Sequence, residues 1–460
     1  MGASIRFSSK WVFLVLFVLF FVSAFFRFYR LGYPPSYYFD EIYFAFTAQE
    51  MAKGNPSVWV PGSKAPEGFA FEWVHPPLGK LIITSALKLF GHTQDPFYWR
   101  VGQAFFGCLG LLVVFALAYE IFQNYGVALL ASFLYTFDPF PLTLSRISTT
   151  DIFLMNFILL ASLFIVKFAK SSRFVYLLLS GLFTGCAVSV KWSGVYLIEF
   201  FAVVSFFLIV YRGLPVSEGS FGRLFSLGSR AFALSFLAFI LLPLAIYLLS
   251  YLPYFLAGHG AGEFVDLQKN MFGYHKGVTE NHPYSSLWWK WPLMLKPVYL
   301  YLGDKGWGEG ILLSISGVLT FLKGLYSGGS VHSHIYMFGN PFIWWTGCLF
   351  FVAGLLIMWM EENAGLSFLT LSVLAYWLPW GVSPRKVTFI YHFLPSLPFL
   401  YIIISYLLIR MSGWARVGRV VLLTYLVVSL AFFVYFFPIF SGMPLRDDLL
   451  HYWFWLKSWR

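Results

Sequence analysis

Charged side chains are what this chain has least of: Asp, Glu, Lys and Arg make up 11% of its 460 residues, against 59% hydrophobic ones and a mean hydropathy of +0.74. So little polar surface excludes a soluble globule and leaves a polytopic membrane protein. Cysteine is scarce as well. Cys108, Cys186 and Cys348 sit inside apolar runs without paired spacing, which excludes a disulfide framework or a cysteine metal site and makes them packing residues. The apolar runs do not alternate, which argues against a β-barrel. No repeat or low-complexity linker divides the sequence, so residues 1–460 read as one domain. The formal charge of +11 comes from cations scattered at the ends of apolar runs, a pattern that orients spans in a membrane and does not track a nucleic acid.

What is present is a series of helical spans: 11–27, 101–121, 126–143, 152–168, 174–190, 194–211, 231–251, 341–359, 366–381, 389–409 and 418–438, about eleven in all. Arg6 and Lys10 precede the first run with no small-residue cleavage site between them and the mature chain, which reads as an uncleaved anchor. These two, with Lys167, Lys170, Arg173, Arg212, Arg223, Arg230, Arg410, Arg416 and Arg419, fall on one side, taken as cytoplasmic. The other, extracytoplasmic side then carries an opening loop of about 28–100, a corner around 145–151, a long loop of about 252–340, and the C-terminal tail.

The opening loop organises the chain. It holds adjacent carboxylates, Asp40 and Glu41, among Tyr37, Tyr38, Phe39 and Tyr43, followed by His75 at a rigid Pro76-Pro77 corner and Lys80 on the next helix. Partial shielding by aromatic rings tunes a carboxylate's basicity. Asp40 could equally be a plain helix N-cap ahead of Gly54 and Pro56. On the same side lie Arg146 and Asp151, Lys191 beside Trp192, and Arg385, Lys386 and His392, where the positive-inside rule predicts few cations. Simpler readings are an Arg146–Asp151 structural pair, a snorkelling Lys191 and a packing His392. Trp288, Trp289 and Trp291 in the long loop read as an interfacial belt. Together the polar set suits an anionic lipid headgroup, with cations on a phosphate and the tail between helices.

Several segments carry a resemblance: FDEIYF at 39–44, VHPPLGK at 74–80, SRISTTDIFL at 145–154, GLFTGCAVSVKWSGVY at 181–196, HPYSSLWWKWPLMLKPVY at 282–299, GNPFIWW at 339–345, and the stretch from Pro384 to Pro398. In this order, over nearly the whole chain, they resemble the dolichyl-phosphate-mannose protein O-mannosyltransferases, in a prokaryotic, archaeal-like form. The resemblance implies an all-α C-type membrane glycosyltransferase with amphipathic helices in its first outer loop and Asp40 as catalytic base. It also implies a dolichyl-phosphate (polyprenyl-phosphate) mannose donor, a Ser/Thr-containing acceptor protein or peptide, and membrane lipids as surroundings. Glu41, His75, Lys80, Arg146, Asp151, Lys191, Trp192, Arg385, Lys386 and His392 are then the expected substrate-binding residues. Two features depart from the eukaryotic pattern. Tyr43 stands where those members have His, and the 252–340 loop, read as an acceptor lid, is too short for a MIR domain. Eukaryotic relatives work as dimers, which makes a homo-oligomer an open expectation.

The expected reaction is a single inverting displacement in which Asp40 deprotonates the acceptor hydroxyl and a polyprenyl phosphate leaves as a stable anion. No metal is expected, because no cluster has ligand spacing, and no cofactor beyond the lipid-linked donor. A lipid or glycan acceptor is the alternative. A secondary transporter ranks lower, because its site belongs at mid-membrane in paired, interrupted helices.

Overall fold

A computed structural model describes residues 9–91, 94–213, 221–279, 282–303, 331–414 and 416–460. Arg6, the side chain of Arg223, and positions 304–330 of the proposed lid lie outside the described residues. The helices are α1 (Ser9–Phe28), α2 (Glu41–Ala52), α3 (Leu78–Phe90), α4 (Pro96–Phe122), α5 (Tyr125–Thr136), α6 (Pro139–Leu144), α7 (Asp151–Ser171), α8 (Phe174–Val190), α9 (Tyr196–Gly213), α10 (Phe221–Phe236), α11 (Leu242–Ser250), α12 (Leu252–Leu256), α13 (Ala261–Gly277), α14 (Pro341–Glu361), α15 (Ala364–Trp377), α16 (Leu397–Ser412) and α17 (Arg416–Ser441). Among the described residues nine helical segments are long and apolar enough to cross a membrane, and α5 and α8 are shorter apolar helices. Every predicted run meets one of them.

The bundle is built around two segments. Ile390–Ser412 and Asp151–Ser171 are the most enclosed, with 89% and 78% of their apolar windows buried, so whatever they carry at their outer ends is held rigidly. Small residues let α8 pack closely on the span around Ala238–Pro243: a Cβ at Gly181 of α8 would fall on the carbonyl oxygen of Ala238, and one at Gly185 would lie 2.9 Å from Pro243. This is close small-residue packing of the kind that holds membrane helices together. The facing span needs a correction of its own. Pro243 cannot donate within a helix, and a π-helical turn over Leu237–Leu241 takes up the mismatch between α10 and α11.

One predicted run is broken. The stretch 126–143 stops at Thr136 and restarts at Pro139, because Asp138 caps α6 and spends its carboxylate on four donors: the backbone N–H groups of Phe140 (3.0 Å) and Asn340 (3.0 Å), the Trp344 indole (2.7 Å) and the Tyr401 hydroxyl (2.7 Å). A fully buried carboxylate in a span survives only when satisfied in this way.

Cations counted for orientation gather at one end of the bundle. Lys167 and Lys170 reach Glu120 (3.1 and 3.5 Å), Arg410 holds Glu361 in two bonds of 2.5 and 2.7 Å, and Arg212 caps the Phe168 carbonyl (3.1 Å). Asp151 lies at the other end of α7 from these lysines. At that other end a three-stranded antiparallel sheet, β1 (Val298–Gly303), β2 (Val331–Met337) and β3 (Pro444–Arg446), closes over α17 in the order β1-β2-β3. Of the three tryptophans read as a belt, Trp289 is exposed, whereas Trp291 is buried with its indole on the Ser286 carbonyl (3.2 Å) and is a packing residue.

Candidate active site

Asp40 begins the site. It occupies the N-cap position of α2, yet its side chain makes no capping bond and accepts no hydrogen bond among the described residues. The plain N-cap reading is therefore replaced. Phe39, immediately before it, is held at φ +50°, a left-handed conformation that costs a bulky residue about 1–3 kcal/mol and persists where the surroundings impose it. The Asp40 side chain that follows is half-buried. Burial pushes its pKa up; the Lys191 ammonium draws it down, Asp151 raises it, Arg385 lowers it and Glu72 raises it, for a balance of about 7 against an ordinary 3.8.

Its neighbour in sequence goes elsewhere. Glu41 is fully buried and takes Arg100 in a two-pronged pair, Nε to Oε1 and Nη2 to Oε2 at 2.8 Å each, while the Ser148 N–H adds a third bond at 2.8 Å. Arg100 also donates to the carbonyls of Leu31 (3.1 Å), Pro34 (2.8 Å) and Ser36 (2.9 Å). Glu41 thus anchors the start of α2 and is unavailable to a ligand, a correction to its expected substrate-binding role.

The cations sort into two groups. Lys191 and Asp151 form a buried pair at 2.7 Å, the lysine lying 5.5 Å from the Tyr391 ring centre, so Lys191 is neither snorkelling nor left to solvent. Arg385 donates through Nε to the Val387 carbonyl (3.0 Å) and lies 3.4 Å from His275 Nδ1. Because His275 Nε2 bonds the Val74 carbonyl (2.8 Å), its Nδ1 is the bare nitrogen that accepts from Arg385. The second group is spent locally. Lys80 is buried on Glu72, bonding its carboxylate, its carbonyl (2.5 Å) and the His75 carbonyl (3.0 Å). Arg146 donates to the carbonyls of Phe26 (2.6 Å), Arg27 (3.1 Å), Tyr29 (2.9 Å) and Arg30 (3.3 Å), closing the C-terminal end of α1, and forms no pair with Asp151. Lys386 is exposed and does not line the cavity described next. For these three the expected phosphate contact is replaced by framework roles or by solvent.

A cavity of about 600 Å³ joins the first group. His75, Lys191, Trp192, His275, Arg385 and His392 line its loop end, and Val195, Ile198, Phe239, Ile240 and Leu244 continue it between the spans. Trp192 is fixed by its indole on the Tyr247 hydroxyl (2.9 Å). His75 bonds Glu72 at 2.6 Å, and burial holds it neutral, its pKa down at about 3 despite the opposing pull of Glu72. His392 is buried, Nδ1 on the Phe389 backbone and its ring 4.2 Å from Trp380.

The cavity thus has polar and cationic side chains at one end and apolar ones along the rest of its wall. The family described as "Dolichyl-phosphate-mannose-protein mannosyltransferase" matches residues 17–257, more than half of the chain, and "C-terminal four TMM region of protein-O-mannosyltransferase" matches 261–459. The chain belongs to this family. Similar to it is the polyprenol-phosphate-mannose–protein mannosyltransferase of Corynebacterium glutamicum, 23% identical over 92% of this chain and 88% of that one. In fold it is similar to the protein O-mannosyltransferase Pmt1-Pmt2 complex of S. cerevisiae bound to the sugar donor, with a TM-score of 0.76 and 14% identity over 99% of this chain and 93% of that one. ArnT from Cupriavidus metallidurans is a more distant match, with a TM-score of 0.54 and 14% identity over 94% and 77%. The family member described here is an integral membrane protein with the C-type glycosyltransferase fold.

Four residues of the site escape a reading from sequence alone: Glu72, Arg100, Tyr391 and His275. Arg100 stands five positions into an apolar helix, and an ionisable residue there is a signal in its own right. Glu72 shares a loop with His75 and Lys80 and gives no signal until the loop folds.

Proposed function

We propose that this enzyme moves mannose from a polyprenyl-phosphate donor to Ser or Thr hydroxyls of proteins, with inversion, at the extracytoplasmic face of the membrane. One observation carries the reading. A half-buried Asp40 that accepts no hydrogen bond among the described residues is electrostatically coupled to Lys191 and Arg385, and those two cations head an apolar cleft that reaches between the spans. The isoprenoid lies in the cleft, and its phosphate meets Arg385 and Lys191. Asp40 takes the acceptor proton as the acceptor oxygen bonds the anomeric carbon; the sugar–phosphate bond breaks on the opposite face and the lipid phosphate leaves as an anion. The two cations supply the charge that a departing phosphate requires, so the reaction is assigned no metal.

The test is transfer of labelled mannose from dolichyl-phosphate mannose to a Ser/Thr-rich peptide by the purified chain. Arg385→Gln is expected to lower kcat/KM roughly 10- to 100-fold, the worth of hydrogen bonds to a charged group, with part of the loss in kcat because the phosphate gains charge as it departs. Product on lipid alone would favour the alternative acceptor, and uptake without transfer would favour transport. The rate is also expected to rise with pH through about 7 and level off above it, because Asp40 must be ionised to act. The same raised pKa works the other way on stability. Its contribution is present in acid and lost as pH climbs from the ordinary 3.8 through about 7, so stability falls over the window in which activity rises.

A further inference from the structure

The outer sheet carries a second convergence of chemistry that the transfer reaction does not use. His332 and His334 stand two residues apart on β2, so both project from one face of the sheet. β3 pairs with β2 in antiparallel register, His332 opposite Leu445, and the chain leaving β3 delivers Asp447 to that face. The Asp447 carboxylate meets both rings, Oδ2 at 2.6 Å from His332 Nδ1 and Oδ1 at 3.1 Å from His334 Nε2, and the ligand atoms of the three residues lie within 4.8 Å of one another.

The other nitrogen of His334 has a partner of its own. His334 Nδ1 lies 3.3 Å from the Tyr299 hydroxyl on β1. The Tyr299 hydroxyl can donate to or accept from Nδ1; when it accepts from Nδ1–H, the Nε2 lone pair is free to turn to an ion held beside the Asp447 carboxylate. A metal-binding histidine is held in this way, one ring nitrogen donating to an outer partner and the other left bare. His334 is buried, while the side chains of His332 and Asp447 are 29% and 38% exposed.

We propose that His332, His334 and Asp447 bind a divalent transition-metal ion of the Zn²⁺ class. Two imidazoles and one carboxylate are a donor set for such ions, whereas Mg²⁺ and Ca²⁺ take oxygen. The bound ion ties β2 to the C-terminal segment and takes no part in transfer. Its reach is nonetheless short: β2 pairs Ile335 with Tyr301 of β1, and the Tyr301 ring lies 5.9 Å from that of Tyr38, two positions before Asp40.

The experiment uses the full chain in detergent, with any affinity tag cleaved off and metal stripped by chelator, titrated with Zn²⁺ by equilibrium dialysis. Co²⁺ serves as a spectroscopic substitute. One ion per chain is expected, with a d–d absorption band of low coordination number for Co²⁺. Asp447→Asn, which keeps the shape of a half-exposed side chain, and His334→Ala are expected to weaken binding about 10- to 100-fold or more. Wild-type protein that binds no Zn²⁺, or variants that bind as tightly as wild type, would overturn the proposal. Should both variants fail to fold, the wild-type stoichiometry and Co²⁺ spectrum decide it alone.

Discussion

Asp40→Asn is expected to lower kcat for mannosyl transfer by about 10²- to 10⁴-fold, the usual worth of a positioned general base. The amide keeps the size of the carboxylate and removes only its capacity to take a proton. Donor affinity should change little, since Asp40 is not among the residues lining the cleft and Arg385 and Lys191 are untouched. Stability should not fall either, because no hydrogen bond to the Asp40 side chain is lost. The diagnostic measurement is the split between kcat and donor KM, taken with the pH profile. Residual activity in the variant should no longer rise through about 7, the value to which burial, opposed mainly by Lys191, brings the native carboxylate. A variant that keeps the wild-type rate, or loses donor binding in place of rate, would remove Asp40 from the base role and leave it as a determinant of the local field.

Residue type and position made much of this architecture legible. Apolar length alone finds runs that each meet an apolar helix among the described residues, because a helix is the way for a chain to satisfy its backbone in hydrocarbon. The cations used to orient the spans, such as Lys167, Lys170 and Arg410, do gather at one end of the bundle, where the fold sets them against Glu120 and Glu361. What composition cannot give is the partner of each charge. Arg146 and Asp151 are close in sequence and look like a pair, yet Arg146 is bound to four carbonyls at the end of α1 and Asp151 to a lysine forty positions away. Lys80 looked free for phosphate because Glu72, its partner eight residues earlier, is unmarked by any local pattern. Asp138 was hidden inside an apolar run whose continuity seemed to argue for an unbroken helix. In each case the deciding fact is a contact between distant segments, set by packing and not by spacing.

Arg100 should then be the most fragile of these contacts. Arg100→Ala is expected to destabilise the protein by about 3–5 kcal/mol, read as a fall in the thermal unfolding midpoint in detergent, because it strands a fully buried Glu41 without a counter-charge. Replacing both partners with apolar residues, Glu41→Leu with Arg100→Met, removes that stranded charge and often restores a buried ion pair's stability. Here it should restore only part of it. The carbonyls of Leu31, Pro34 and Ser36 also lose their donor, and buried acceptors left without partners keep their own desolvation cost. The gap between single and double variants therefore separates the two jobs of Arg100, neutralising Glu41 and tying the chain before α2 to the span that follows. A milder variant, Glu41→Gln, keeps one acceptor for Arg100 and should fold. Because the start of α2 sets where Asp40 points, it should lower kcat while leaving donor KM and the pH midpoint near their wild-type values. A Glu41→Gln enzyme with unchanged kcat would mean that the twist at Phe39, and not the Glu41–Arg100 pair, aims the base.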